Sequence, residues 1–549
     1  MTSPSTRTIR RIASALAGLC LSMPAVAQTP PSWVNARVVG AGTSSLGGSA
    51  VDAAGNTYEA GSFSTPTFVL DGVTLTNQGG NGDAYLAKYA ANGALLWVRQ
   101  IGSTGLDTGL DVALDAAGNA YVTGFAGGPL ELGNGVSLPG NTSRTYVVRY
   151  SPQGTPQWGK ESANFGSGSG IGTDASGAVY VAGSFSRTVS FDGATTTTPN
   201  NSFGVYLARF SAATGEVQSL TTAYHFEVAG TGTASYQLPK LAKAPAGDLY
   251  ILNTFSQLPV VGNTRLTSRG ATDVLVARFT TQGSLVWVQQ LGGPSTDFVN
   301  DGAVDAAGNV YATGTFTGAA TFGTTTLPGA GDIDGYVVKY APQGIMEWVL
   351  PLAGPGPDGF GSLSVDAAGN PYVAGNYSAG AQFADASLPN AGSRDLLVAA
   401  LTPQGQLRWK QQAGGPGFDS ASHLGLSANG DLHLIGRFAN ACVVGPFTLN
   451  TSAAFETFLA RLSSSTLATQ AAQPLALAFY PNPATDQLHL PTLAAGTPIQ
   501  LVDALGRVAR TAVVAPATPV SVRGLAPGLY TLRATDAQGR HLAGRVVVE

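Results

Sequence analysis

One segment recurs seven times along this chain, and that recurrence limits the fold more than any other feature. It reads VDAAGNTYEAGSF from Val51, LDAAGNAYVTG from Leu114, TDASGAVYVAGSF from Thr173 and KAPAGDLYILNTF from Lys243. It continues as VDAAGNVYATGTF from Val304, VDAAGNPYVAGNY from Val365 and LSANGDLHLIGRF from Leu426. The turn glycines Gly55, Gly118, Gly177, Gly247, Gly308, Gly369 and Gly430 are spaced by 63, 59, 70, 61, 61 and 61 residues. A second segment follows each first one: DAYLAKY from Asp83, TYVVRY from Thr145, VYLARF from Val205, DVLVARF from Asp273, DGYVVKY from Asp334, DLLVAAL from Asp395 and ETFLARL from Glu456. A third segment places a tryptophan four residues after a turn glycine, at Trp97, Trp158, Trp287, Trp348 and Trp409, with Ser219 in that place in the third unit.

Each unit is therefore a set of short alternating or apolar runs separated by Gly, Asn and Asp, the pattern of antiparallel strands joined by tight turns. We label the strands a (ending at the DAAG turn), b (from Tyr58 and its equivalents), c (the YLAKY type) and d (the Trp type). Four strands per unit at this period predict the blade of a seven-bladed β-propeller in an all-β fold. An array of β-sandwiches is the alternative, but it does not require matched ends. Here the ends match. The chain carries a lone d strand from Trp33 to Val39, and no Trp strand follows Leu462 in the last unit. The N-terminal strand is predicted to complete the last blade and to leave no unpaired edge at the seam.

With its D-x-x-G-N-x-Y-x-x-G run, the unit resembles the seven-bladed beta-propeller repeat family (SBBP) over about residues 33–469. The fourth unit departs from the pattern, with Ala244 for Asp and Asn253 for the second Gly, and the seventh has Ser427 and His433. The resemblance implies a fold and no particular reaction.

Composition removes several function classes. Charged residues are 11% of the chain and the net charge is −4, so there is no basic footprint for nucleic acid. Hydrophobic residues reach 44%, which a disordered chain would not. At the N-terminus, Arg7, Arg10 and Arg11 precede an apolar stretch from Ile12 to Leu21, and Ala25-Val26-Ala27 fits an export cleavage site. Residues 1–27 are thus expected to be a signal peptide, with Gln28 first in the mature chain and no transmembrane span left in it. Cys20 leaves with that segment, and Cys442 alone can form no internal disulfide.

The repeat stops near Gln470, and an Ala/Gln linker of about residues 471–476 leads to a C-terminal module, 471–549. Its short strands and Asn-Pro, Leu-Gly and Pro-Gly turns read as a small Ig-like β-sandwich. The ordered set YPNP, D-x-x-G-R and L-x-x-G-x-Y resembles the type A C-terminal sorting domain of the type IX secretion system. The matching residues are Tyr480, Pro481, Asn482, Pro483, Asp503, Gly506, Arg507, Leu525, Gly528 and Tyr530. By that resemblance the module is an address read at the outer membrane of Gram-negative bacteria. The type IX machinery is the implied partner, and a secreted or outer-membrane-associated surface location is the implied destination. The plainer alternative is an adhesion-like sandwich that stays attached.

Candidate chemistry is sparse. No HExxH, GxSxG or P-loop spacing is present. The five histidines are His225, His423, His433, His489 and His541, and His433 replaces a repeat tyrosine. The DAAGN turns are read as Asp side chains capping their own turns, rather than as calcium loops, which need more oxygen ligands. Nine acids start strand c (Asp83, Asp273, Asp334, Asp395, Glu456) or occupy the d-to-a connection (Asp107, Asp297, Asp358, Asp419). They are predicted to share one rim, which could hold Ca²⁺ or meet a hydroxyl-rich ligand. The alternative is that each aspartate hydrogen-bonds its own loop backbone. The long interval between Ser219 and Trp287 holds Tyr224, His225, Phe226, Glu227 and Tyr236, aromatics beside an acid that could stack on a sugar.

The sequence thus predicts an exported, non-catalytic propeller scaffold for a glycan or a surface protein. Its ligand-binding candidates are Tyr224, His225, Glu227, Asp107, Asp297, Asp358 and Asp419. No cofactor is expected, with calcium on the acidic rim as the alternative, and no catalytic residue is assigned. An extracellular polysaccharide hydrolase or lyase is the main alternative, and a structural surface component is the second.

Overall fold

The computed structural model describes residues 30–41, 44–140, 143–227, 238–244, 247–256, 258–463, 475–491, 493–503, 508–516, 518–535 and 541–549. The expected signal peptide, most of the linker, and Tyr236, Gly506 and Arg507 lie outside the described residues. Among the described residues the fold is all-β, with only a three-residue 3₁₀ turn, Pro199–Asn201.

The repeat turn shows why this sequence makes hairpins. Asp52 Oδ1 accepts from the backbone N–H groups of Ala54 (3.0 Å) and Asn56 (2.9 Å), and Oδ2 accepts from the Asn56 side chain (2.8 Å). Gly55 takes φ +81°, a conformation open to a residue without Cβ. Asp115, Asp305 and Asp366 repeat the arrangement. The turn also survives without the aspartate: the Gly247 N–H donates to Ala244 O, and the Gly430 N–H to Ser427 O. The backbone bond and the glycine therefore make the turn, and the carboxylate reinforces it.

The described chain divides into two compact units, residues 180–210 with 217–422, and residues 31–179 with 211–216 and 423–549. In the first, three antiparallel sheets each contain four strands in the a–b–c–d order, and two of them are extended to six strands. One of them runs Asp297–Val304, Val310–Phe316, Asp334–Tyr340 and Met346–Ala353. Strands b and c are buried along their whole length, and strand d is half-exposed. Successive sheets share an apolar core, as where Tyr250, Leu252, Val276 and Leu291 join Val310, Phe316, Tyr336 and Val338.

In the second unit the sheets Ser44–Val51 to Leu95–Ile101 and Thr108–Leu114 to Pro156–Glu161 have the same order. The N-terminal strand Ser32–Ala41 pairs antiparallel with Glu456–Ser463, from Ser32 opposite Ser463 to Ala41 opposite Glu456. This is the strand exchange expected from the unmatched Trp strand.

Within each unit, tryptophans of strand d latch one sheet to the next at several joints. Trp97 Nε1 donates to Pro152 O, Trp287 Nε1 to Pro342 O and Trp348 Nε1 to Pro403 O. Each indole also lies on the glycine of the same c–d turn. A Cβ added to Gly154, Gly344 or Gly405 would stand 2.8 or 2.9 Å from the ring.

The sequence reading passed over one element. The b–c connection folds into a small hairpin whose first strand pairs with the d strand of the preceding sheet. Thr67–Leu70 pairs with Ser32–Ala41, Leu258–Val261 with Val217–Glu227, Ala320–Phe322 with Leu285–Gly292, and Gln382–Phe383 with Met346–Ala353. The outer edge of the sheet, otherwise a row of unpaired backbone groups, is thereby covered over part of its length.

The C-terminal module, in the second unit, has a five-stranded sheet and a two-stranded one. Leu488 and Val520 of the smaller sheet share a core with Ile499, Leu501, Leu532 and Val546 of the larger.

Candidate functional site

The predicted acidic rim is not an open surface. Asp107, Asp297 and Asp419 are fully buried and Asp358 is 2% exposed. Each accepts from a backbone N–H: Asp107 from Ser103 (2.6 Å), Asp297 from Gly293 (2.7 Å), Asp358 from Ser378 (2.6 Å) and Asp419 from Gly415 (2.8 Å). Asp83, Asp273, Asp334 and Asp395 do the same for Gln78, Arg269, Ala330 and Ala391. These carboxylates hold loops in place, and as placed they do not face a ligand in solvent. Burial, the largest cause, pushes Asp107, Asp297 and Asp358 up to about 6, even though their backbone donors pull the other way.

Tyr224 is also drawn inward, whereas His225 and Glu227 stay partly exposed. Tyr224 is 1% exposed, and its hydroxyl accepts from Asn253 Nδ2 at 2.6 Å. Asn253 replaces a repeat glycine, so the departure noted in the fourth unit provides the partner for this tyrosine. Glu227 is spent on an ion pair with Arg265, on the hairpin laid against its strand. His225 is half-buried on the same strand, Val217–Glu227, opposite Val260. These residues share a strand but do not converge on one exposed point. Among the described residues, no three His, Cys, Asp or Glu side chains converge closely enough to hold a metal ion.

Open space lies elsewhere. In the first unit a cleft of about 530 Å³ is bounded by Leu350, Pro351, Pro355, Gln382 and Asp385. Its wall is built by the small hairpin, whose turn residues Ala384 and Asp385 take positive φ (49° and 60°). Sequence reasoning missed this cleft because it missed the hairpin. The two-residue turn between short strands was the available signal.

The sorting module brings most of its predicted residues together. The Asn482 side chain behaves like a piece of strand, with Nδ2 donating to Arg545 O (2.9 Å) and Oδ1 accepting from the Val547 N–H (2.8 Å). The Ala484 N–H donates to Val547 O, and the Glu549 N–H to Ala484 O. The Tyr480-Pro481-Asn482-Pro483 run, with cis bonds before both prolines, is thus zipped to the last strand, His541–Val548. Tyr480 is 57% exposed and stacks on His489 with ring centroids 5.0 Å apart. The pair borders a groove of about 270 Å³ with Leu490, Pro491, Leu493 and Pro516. Tyr530 is buried and donates to Ala526 O at 2.8 Å, closing the turn before its own strand, Gly528–Thr535. Asp503 follows directly on the strand Pro498–Val502.

The architecture is that of an all-β propeller carrying a C-terminal sorting module. Residues 478–549 match the family described as "Secretion system C-terminal sorting domain", and residues 286–315 match the family described as "Beta-propeller repeat". The chain is accordingly handled by the type IX secretion machinery and is secreted or placed at the cell surface. No helix among the described residues is long and apolar enough to cross a membrane. An uncharacterized WD repeat-containing protein of Acanthamoeba polyphaga mimivirus is 28% identical over 129 residues, a match spanning 21% of this chain and 9% of that relative's length. Among solved structures, a polysaccharide lyase described as an ulvan lyase is 10% identical, with a TM-score of 0.38 over 72% of this chain and 92% of its own. A GH43 protein from Bacillus licheniformis is also 10% identical, with a TM-score of 0.26 over 77% and 94%.

Proposed function

We propose that the exported chain is a non-catalytic binding scaffold whose propeller presents a surface to a glycan or to another surface protein. The observation that carries this reading is the fate of the repeated carboxylates. Glycoside hydrolysis canonically uses two carboxyl groups facing the substrate. Here the repeated acids lie inside the joints between sheets, holding backbone N–H groups. What faces solvent is an open cleft with an amide, a carboxylate and two prolines, Gln382, Asp385, Pro351 and Pro355. That is a surface suited to hydrogen-bonding hydroxyl groups and packing on apolar patches, as binding clefts do.

The test is retention of the chain from Gln28 onward on a panel of insoluble polysaccharides, with the polymer examined for shortening. Retention without shortening, lost in a Gln382→Ala/Asp385→Asn variant, supports the scaffold. Shortening hands the chain to the hydrolase or lyase reading. No retention on any polymer removes the glycan and leaves a protein partner or a structural surface role.

A further inference from the structure

Two buried carboxylates meet where strand c of one sheet hands over to strand a of the next. The pairs are Asp83 with Asp107, Asp273 with Asp297, Asp334 with Asp358 and Asp395 with Asp419, and all eight are at most 3% exposed. Backbone pairing brings the members together. The Asp107 N–H donates to Gly82 O, Asp297 to Thr272 O, Asp358 to Ile333 O and Asp419 to Arg394 O, in each case the residue just before the partner. In the Asp273/Asp297 pair both side chains close on a single glycine: a Cβ added to Gly292 would stand 2.4 Å from Asp273 Oδ1 and 2.7 Å from Asp297 Oδ2. Asp83 Oδ1, Asp273 Oδ1 and Asp358 Oδ2 are buried without a hydrogen-bond partner.

Two like charges in one dry site repel strongly, and an uncompensated buried charge is costly. The chain contains its own comparison. In the second repeat Arg144 stands where Asp83 stands in the first repeat, fully buried and paired with Glu161 at 2.5 Å. Glu161 in turn stands where Gln100, the partner of Asp83, does. Counted back from the following turn aspartate, the place of Asp107 is then taken by Gly166. Where a permanent cation fills the site, the second carboxylate is gone.

We propose that Asp107, Asp297 and Asp358 each hold a proton against the neighbouring buried carboxyl group, so that the joint between successive sheets is a pH-sensitive lock. The lock is closed with the proton in place and loosens when the proton passes to solvent. Burial and then the partner's charge keep Asp107, Asp297 and Asp358 protonated up to about pH 6. Burial also raises Asp83 and Asp395. The groups facing these acids temper or reinforce that. Asp107 faces Asp83 and the Tyr146 phenol; Asp297 faces Asp273, Arg269 and the Tyr336 phenol; Asp358 faces Asp334 and Arg394. For an acid raised in the folded state, the stabilisation is complete below the ordinary carboxylate value and is lost as pH rises through about 6.

The test uses the chain from Gln28 onward in EDTA, by infrared difference spectroscopy between pH 5 and pH 8. The expected result is loss at pH 8 of the carbonyl stretch of protonated buried carboxyl groups. Asp297→Asn and Asp358→Asn should each remove part of that band while the β-sheet amide band stays. In thermal melts, the fall in Tm from pH 5 to pH 8 should shrink in each variant. Absence of the band at pH 5, or its persistence at full size in both variants, overturns the proposal. So does a rise in Tm at pH 8 on adding millimolar calcium, since the pairs would then be held by a cation.

Discussion

Replacing His433 with tyrosine should stabilise the protein, and the repeat explains why. In other sheets the equivalent tyrosine reaches across to the turn glycine of the next: Tyr58 donates to Gly118 O (3.1 Å), Tyr250 to Gly308 O (2.7 Å) and Tyr311 to Gly369 O (2.9 Å). His433 points at the corresponding glycine, with its Nε2 3.4 Å from where a Gly55 Cβ would be. The imidazole is too short for the hydrogen bond. Its Nε2 is buried without a partner, and a cavity of about 10 Å³ is left beside Thr57 and Arg461. Filling so small a space is worth only a few tenths of a kcal/mol, at roughly 24 cal/mol per Å³. Regaining the hydrogen bond adds about 1 kcal/mol, and removing an unsatisfied buried nitrogen adds about 1–3 kcal/mol. The polar terms therefore decide, and His433→Tyr should gain about 2 kcal/mol, with His433→Phe gaining clearly less. Acid adds a second signature. Burial, then Arg461, pushes His433 down to about 4, so its neutral form is favoured on folding. That stabilisation is present above the ordinary histidine value and is lost as pH falls through about 4, a swing of about 3 kcal/mol that the tyrosine variant lacks. Urea denaturation at pH 7 and pH 4.5 measures both. Equal stability of the Tyr and Phe variants at pH 7 would refute the hydrogen-bond argument.

Glu59 is fully buried and donated to by Tyr85 Oη, and burial raises it to about 7 against the nearby Arg437. Its stabilisation is present below the ordinary glutamate value and is lost as pH rises through about 7, so Glu59→Gln should match the native protein near pH 4 and exceed it by up to ~3 kcal/mol at pH 8 in denaturant titrations. Gly344 has φ +83° and would place a Cβ 2.8 Å from the Trp287 ring; Gly344→Ala should cost roughly 2–3 kcal/mol and shift the tryptophan fluorescence, whereas Gly72→Ala, with open space around it, should show only the backbone strain of about 1–2 kcal/mol. Asn482→Ala removes both side-chain bonds to the last strand, and pulse-chase fractionation should find the variant held back before the cell surface, with native-like circular dichroism of the propeller strands.

What could be read from the sequence was what repeats in one dimension. The alternation of buried and exposed positions gives strands, and the DAAG spacing gives turns whose carboxylate bonds are local, spanning two to four residues. The unmatched Trp strand likewise implied its partner, because an odd strand must pair somewhere. The reading that each aspartate bonds its own loop backbone agrees with these hydrogen bonds, but the direction of the carboxylates was less legible. Periodicity tells that Asp297 begins a strand, but the direction of its carboxylate depends on Gly293, whose N–H it accepts, and on Gly292, whose missing side chain leaves room for it and for Asp273. Those glycines are in the sequence, at LGG before Pro294, and the same small residues precede Asp107, Asp358 and Asp419 as IGS, LAG and AGG. A small-residue pair four residues before an aspartate, with a second aspartate at the head of the preceding strand c, is the signature of an inward-turned carboxylate pair. Arg144 is the exception that supports this reading, since the unit that replaces the first acid with a cation also drops the second.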